Sequence, residues 1–254
     1  MTEPASFRRE LVDDPEPLRE VWEAEAPRWI AWARKQDHDS YGRFHRDLFL
    51  ELVPAPGRRT LDVGCGEGRL SRDLKQLGHE VVGLDTSPTA VAAALEAERS
   101  IDVHLGDAAA LPFPDRHADL VIAFMSLQDI DDAAGAIREA ARVLEPSGRF
   151  CLAVVHPLAS AGHFDGENPD SPYVIRGSYL ASFRYRDHIA RDDMELTLES
   201  KHRPISWYTE TLAESGFLIE RLREVVVPEP AVSIPRQRRW QRIPLFLHIR
   251  AVRP

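Results

Sequence analysis

Leu61-Asp62-Val63-Gly64-Cys65-Gly66-Glu67-Gly68-Arg69 follows an apolar run and leads into a stretch of helical periodicity. It reads as the turn between a first strand and the helix after it. Glycines there let the backbone approach a bound molecule closely, and the helix start offers free N–H groups. A nicotinamide-type fingerprint wants Gly at three places, G-x-G-x-x-G, and its third place is Arg69. Asp62 is a second objection: a carboxylate at the strand end is poorly placed beside a pyrophosphate but well suited to receive an ammonium group. The turn prefers a cation.

Outward from this turn, short apolar runs alternate with helical stretches. The spacing predicts strands over Thr60–Val63, Glu80–Leu84, Ile101–Leu105, Ala118–Phe124 and Arg149–Val155, with helices near Arg69–Leu77, Pro88–Glu98 and Asp132–Leu144. Continuous apolar strands alternating with helices indicate a doubly wound, mostly parallel α/β sheet. Before it, residues 1–57 read as an N-terminal helical cap. It has two short helices divided at Pro27, then a further helix carrying Tyr41, Phe44, His45, Leu48 and Leu52. Residues 58–155 form the first half of the sheet domain. Residues 156–203 break the alternation and read as an insertion over the sheet edge that shapes a substrate pocket, with Tyr179 as a candidate pocket residue. Residues 204–254 supply a helix near Ile205–Ser215 and strands near Phe217–Val225 and Pro244–Val252.

Two further carboxylates end the next strands. Asp85 lies 21 residues after Gly64, where doubly wound folds place the acceptor of a ribose diol. Asp107, in Leu105-Gly106-Asp107-Ala108, can accept from an exocyclic amine on a purine. Together the three describe a ligand with an amino acid, a ribose and an adenine, and no phosphate.

With 254 residues, 43% of them hydrophobic, the chain can bury a real core, which argues against disorder. A formal charge of −9 argues against a duplex polyanion as partner for the whole surface. No apolar run approaches the roughly 18 residues of a spanning helix, and Met1–Phe7 lacks an export signal. Two cysteines, Cys65 and Cys151, make neither a disulfide framework nor a zinc site, so no metal and a cytoplasmic location are expected. Arg236, Arg238, Arg239 and Arg242 around Trp240 read as a solvated loop rather than a nucleic-acid surface. Oligomeric state is left open.

At these residues the chain resembles the class I S-adenosylmethionine-dependent methyltransferases, in the small-molecule branch that includes the ubiquinone and menaquinone enzymes. Leu61–Gly68 is similar to their glycine-rich motif, Val82-Gly83-Leu84-Asp85 to their ribose-binding strand and Gly106-Asp107-Ala108 to their adenine contact. Leu111–Asp115 and Asp119–Val121 resemble the turn into strand four. Arg142–Gly148 resembles the motif before strand five, with Ser147 where Gly is usual.

The resemblance implies a seven-stranded sheet of order 3-2-1-4-5-7-6 with the last strand antiparallel. Strand four then separates Cys65 from Cys151, so they should not bridge. It also implies S-adenosylmethionine as cofactor, held by Asp62, Gly64, Cys65, Gly66, Asp85, Thr86, Asp107 and Ala108. Met125 and Ser126 after strand four would pass its methionine end, and Tyr41 and Arg46, with His45, would close over it. The expected activity is methyl transfer to a small organic molecule, with O-, N- and C-acceptors all open. Where a base is needed, His156, His202 and His45 are the candidates, in that order. A macromolecular methyltransferase is disfavoured, because the segment after strand four, Phe124-Met125-Ser126-Leu127-Gln128-Asp129, lacks the Asn/Asp-Pro-Pro-aromatic pattern of enzymes that act on nucleic-acid amines. A relative that keeps the cofactor as a scaffold stays open.

Overall fold

A computed structural model describes residues 6–13, 16–36 and 38–254. In chain order the elements are β1 (Ser6–Leu11), α1 (Leu18–Arg34), a π-helical turn over Tyr41–His45 and α2 (Arg46–Leu50). Then come β2 (Thr60–Val63), α3 (Arg69–Gln76), β3 (Val81–Asp85), α4 (Pro88–Ala97), β4 (Asp102–Leu105) and β5 (Ala118–Phe124). After α5 (Ala133–Val143) and β6 (Leu144–Val155) follow α6 (Pro157–Ala161), β7 (Gly162–Phe164), β8 (Tyr173–Ile175), β9 (Phe183–Arg191) and β10 (Met194–His202). The chain closes with α7 (Ile205–Glu214), β11 (Leu218–Val225) and β12 (Phe246–Val252).

The main sheet runs β11-β12-β6-β5-β2-β3-β4, the order the family resemblance implies. Pairs β2·β3, β3·β4, β2·β5 and β5·β6 are parallel, while β12 is antiparallel to both its neighbours. The central strands are apolar on both faces because helices cover both, and Val121, Ile122, Leu152 and Val154 are fully buried. Local chemistry sets the helix ends. Ser87 caps α4 by accepting from Ala90 N at 3.0 Å, and Asp132 caps α5 by accepting from Gly135 N at 2.7 Å. Strand β2 lies beside β5, which lies beside β6, and Cys65 and Cys151 are both free and buried. Ser147 takes the left-handed conformation (φ 66°) that favours the glycine usual there.

Three expectations are corrected. Pro27 does not divide the first helix: α1 is continuous through it, even though the ring removes the donor that would reach back to the residue 23 carbonyl. The segment before residue 58 is not wholly helical, because β1 pairs antiparallel with β9 from Ser6↔Ala190 to Leu11↔Tyr185, forming a three-stranded sheet β1-β9-β10. The insertion reaches further than the sheet edge, since Tyr185 and Asp187 of β9 and Leu198 and Ser200 of β10 line the cavity at the carboxyl ends of the central strands.

The basic run is held down internally. Arg236 pairs with Glu167 at 2.9 Å, Arg238 with Glu229, and Arg242 donates to the carbonyls of Pro169 and Ser171. Trp240 packs edge-on against Phe164 at 5.0 Å between ring centres. These contacts fasten the β7–β8 hairpin to the loop before β12. Among the described residues no helix is long and apolar enough to cross a membrane.

Candidate active site

A cavity of about 490 Å³ opens at the carboxyl ends of β2, β3 and β5, within the range of small-ligand sites. Ten of the expected residues line it: Asp62, Gly64, Cys65, Gly66, Asp85, Thr86, Asp107, Ala108, Met125 and Ser126. The turn after β2 is shaped by close approach. Gly64 has φ +73°, and a Cβ added there would lie 2.4 Å from Ser126 Cβ, while Ser126 Oγ donates to the Val63 carbonyl at 2.8 Å. At Gly66, by contrast, an added Cβ would meet nothing nearer than Trp29 Nε1 at 3.6 Å, so the loop faces open space there.

The three strand-end carboxylates are set by neutral donors. Asp62 accepts from the Ser71 hydroxyl at 2.5 Å, and burial pushes its pKa up to about 6, with the Ser71 bond opposing and nearby Asp85 adding to the rise. Asp85 accepts from Gly66 N at 2.8 Å and Ser87 N at 2.9 Å; burial raises its pKa against those bonds. Asp107 accepts from Ala109 N at 2.8 Å. Among the described residues none of the three has an ion pair, whereas Glu67, also at the cavity, is closed off by a two-pronged bond to Arg72 at 2.8 Å. Asp62 is buried and Asp85 half-buried, each without a cation, which fits a cationic guest, while Asp107 is exposed at the cavity mouth. The donor set and the open loop at Gly66 therefore suit S-adenosylmethionine, whose ammonium, ribose and adenine match the three positions. Burial drives the Cys65 thiol far above its ordinary pKa, and its sulfur packs against Gly83.

Tyr41 and Arg46 do not line this cavity. The Tyr41 hydroxyl donates to Asp73 at 2.6 Å, and Arg46 pairs with Asp47 and Asp73, so both serve the packing of α2 against α3. The closing element is α1 instead. Trp22, Ala26 and Trp29, spaced four and three apart on one helix face, line the cavity. Glu23 anchors that helix to the start of α4 through the Thr89 hydroxyl at 2.5 Å and the Ser87 hydroxyl. Arg69 reaches the cavity from α3. It is stacked between Trp29 (4.9 Å) and Tyr41 (4.1 Å) and held by Asp39 at 2.6 Å.

The three histidines also lie outside the cavity lining, each with its ring engaged. His156 caps α6, accepting from Leu158 N at 3.0 Å through Nδ1 while Nε2 bonds Glu224 at 2.9 Å; burial lowers its pKa against the pull of Glu224. His202 donates from Nε2 to the Tyr179 carbonyl at 2.8 Å, so its Nδ1 accepts from Ser160 Oγ at 2.7 Å, and its ring stacks on Phe183. His45 stacks on Phe246 at 3.6 Å and meets His248 Nε2 to Nε2 at 2.9 Å, and burial drives its pKa well down. Tyr179 is likewise not at the cavity; its hydroxyl accepts from Ile205 N at 3.1 Å. The insertion reaches the cavity through Tyr185, Asp187, Leu198 and Ser200.

Two residues at the cavity carry no mark in the sequence beyond their place after β5. Gln128 and Asp129 sit on the 3-10 turn Leu127–Asp129, following Met125, which is held at φ 56°. Asp129 accepts from Ser200 Oγ at 2.5 Å and from Gln128 Nε2 at 3.0 Å. Burial pushes its pKa up to about 8, against those bonds and the charges of Arg203 and Arg184.

Comparison with known proteins gives the family. Residues 61–152 match the model of a methyltransferase domain family. A probable S-adenosylmethionine-dependent methyltransferase of Mycolicibacterium smegmatis is 34% identical over 161 residues, 63% of this chain and 62% of that one. A demethylmenaquinone methyltransferase of Renibacterium salmoninarum is 32% identical over 164 residues, 58% of this chain and 69% of that one. The alignments leave about a third of each relative unmatched. The fold is shared with a solved S-adenosylmethionine-dependent methyltransferase of Mesorhizobium loti, at 24% identity and a TM-score of 0.70, covering 85% of this chain and 99% of that one. The chain belongs to the class I S-adenosylmethionine-dependent methyltransferases, the family whose cofactor its strand-end carboxylates suit.

Proposed function

We propose that the protein transfers the methyl group of S-adenosylmethionine to a small organic molecule. Asp62 receives the cofactor's ammonium, Asp85 its ribose diol and Asp107 its adenine amine. Gly64, Cys65, Gly66, Thr86, Ala108, Met125 and Ser126 shape its bed. Bound there, the cofactor supplies an electrophilic methyl on a sulfonium.

What supports a small acceptor is the roof. Helix α1 and the β9–β10 hairpin lie over the strand ends, and beyond the cofactor residues the cavity is lined by Trp22, Val155, Tyr185 and Leu198 together with Gln128, Ser200 and further carboxylates. A roofed, largely apolar chamber excludes water and aligns a compact nucleophile, and alignment supplies much of the acceleration in such a transfer. Two free, buried thiols accord with a reducing compartment, and we infer a cytoplasmic setting.

The test is incubation with methyl-labelled S-adenosylmethionine and, in parallel, a panel of small amines, alcohols, phenols and carbon acids, total RNA, and a protein extract. Mass spectrometry then reads the gain of one methyl group. Label in small acceptors is expected; label confined to RNA or protein overturns the reading.

A further inference from the structure

Beyond the cofactor residues and the Arg72-bound Glu67 the cavity carries four more carboxylates, and their partners differ. Asp187 is held by the Arg9 guanidinium through two bonds of 2.6 and 2.7 Å. Asp131 accepts from Arg184 at 3.1 Å and from Leu18 N at 2.9 Å. Asp132 caps α5 and lies 3.7 Å from Arg138. Asp129 alone among these four has no ion pair among the described residues; its partners are a hydroxyl and an amide.

Beside it is a second acceptor with nothing to accept. Gln128 is 4% exposed and lines the cavity, and its Oε1 has no hydrogen-bond partner among the described residues. The amide cannot turn round to cure this. Its Nε2 donates to the Met125 carbonyl at 2.7 Å and to Asp129 Oδ2 at 3.0 Å, and both of those atoms are acceptors. A buried, unsatisfied acceptor costs roughly 1–3 kcal/mol; Oε1 is itself shut off from solvent, so a donating guest in the neighbouring cavity reaches it by a small shift of the Gln128 side chain. The two residues follow Met125 and Ser126, next to the bed of the methionine end, and face Ser200 and Tyr185 of the hairpin.

We propose that the methyl acceptor is an amine, held by Gln128 Oε1 and the Asp129 carboxylate, with Asp129 taking the proton that the nitrogen must lose. An amine nitrogen has two or three donors to satisfy both acceptors at once. A hydroxyl has one, which Asp129 would take, leaving Gln128 Oε1 unsatisfied. A carbon acid has none. Trp22 and Tyr185 also line the cavity, and the Tyr185 ring already carries the Arg9 guanidinium 4.2 Å from its centre.

The step balances. The ammonium form of the acceptor gives one proton to Asp129, which becomes a neutral carboxylic acid. The freed nitrogen lone pair forms the N–C bond as the C–S bond breaks. That electron pair stays on sulfur as a neutral thioether, and the product is a methylated ammonium. Burial alone pushes Asp129 up to about 8 and would leave it protonated at neutral pH; an ammonium guest beside it supplies the opposite charge that holds it ionised until it takes the proton.

The inference rests on the small-molecule reading, and its test separates the two. The full chain is assayed with S-adenosylmethionine and matched pairs of probes, benzylamine against benzyl alcohol and 2-phenylethylamine against 2-phenylethanol, with phenol and acetylacetone alongside. Binding of each probe is measured by calorimetry in the presence of S-adenosylhomocysteine. Methylation of the amines at least tenfold above the alcohols is expected, together with amine binding. In Asp129→Asn, checked for folding by circular dichroism, kcat for the amine is expected to fall about 100-fold or more. Cofactor Kd should stay within about threefold, and the lost rate should return as pH approaches the amine's own pKa. Methylation of alcohols, phenol or acetylacetone with none of the amines overturns the amine assignment and leaves the small-molecule reading standing. Absence of both amine binding and amine methylation also overturns it. Transfer confined to RNA or protein overturns both. Wild-type kcat in Asp129→Asn removes Asp129 from the proton's path.

Discussion

Gly64 and Ser126 touch across the floor of the cavity: a Cβ on residue 64 would stand 2.4 Å from Ser126 Cβ, at a backbone angle of φ +73° that disfavours any side chain. The contact joins the turn after β2 to the turn after β5, so the glycine sets how closely the two cofactor-facing loops approach. Gly64→Ala is expected to lower stability through overpacking, typically about 1–3 kcal/mol, with roughly 1–2 kcal/mol more for the left-handed backbone. It should also weaken cofactor binding by displacing both loops. Denaturant melts and calorimetry check this; unchanged affinity in Gly64→Ala would mean that the loops move apart without cost to the cofactor.

Asp85 holds the glycine loop as well as facing the cavity, through Gly66 N and Ser87 N. Asp85→Ala therefore removes both an acceptor for the ribose diol and a brace for the loop. Losing a charge-assisted bond costs roughly 1.5–3 kcal/mol, so cofactor Kd is expected to rise about 10-fold to 150-fold. Asp85→Asn, which keeps one oxygen acceptor, should lose less. Calorimetry on folded protein that shows both variants binding like wild type would remove the ribose assignment.

The glycine turn and the strand-end carboxylates were legible in the sequence because their signal is local: an apolar run, a glycine pair and an acidic residue lie within a few positions of one another. What closes the cavity was not. Pro27 reads as a break at a cost of about 3 kcal/mol or more, yet the helix runs through it, with its apolar face turned to the cavity and Glu23 tied to α4. Strand β1 is short, and its partner β9 lies more than 170 residues away, a pairing no window along the chain contains. Asp129 looked like any acidic residue in Gln128-Asp129-Ile130-Asp131-Asp132. Its burial is created partly by Ser200, 71 residues later, so its perturbed proton affinity had no local signature. The histidines read as bases for the converse reason. They stand at strand ends and element junctions, where a base would serve and where a capping ring serves equally well.

Because both nitrogens of His156 are engaged, by Leu158 N and by Glu224, its replacement should act on folding rather than on chemistry. His156→Ala removes a helix cap, worth roughly 0.5–2 kcal/mol, and leaves a buried gap where β6 enters α6. The expected result is a lower Tm with kcat within about threefold of wild type at temperatures where the variant is folded. A steep fall in kcat at unchanged Tm would restore the histidine as a catalytic group.

The protonation of the cavity yields the last prediction. Asp62, pushed up to about 6, and Asp129, pushed up to about 8, both bind their protons more tightly in the folded chain than in the unfolded one, where aspartate titrates near 3.9. For a raised carboxyl the folded state is favoured while the proton is on. The contribution is fully present below about pH 4 and is lost as pH rises through the folded values. Among the groups facing Asp129, Arg184 on β9, Arg203 after β10 and its bonding partners Ser200 and Gln128 oppose the rise, and burial outweighs them. Tyr185 on β9 and Tyr208 on α7 also sense its charge. The cofactor-free protein should therefore lose stability between about pH 4 and 8 from these two groups, and Asp129→Asn should flatten the upper part of that slope. A cationic cofactor reverses the cost by supplying Asp62 with the charge it lacks, so binding near pH 6 should release protons. Calorimetry of S-adenosylmethionine binding in buffers of different ionisation enthalpy reads that release directly, and Asp62→Asn should abolish most of it. Proton uptake on binding, or a release indifferent to Asp62, would show that the ammonium is received elsewhere.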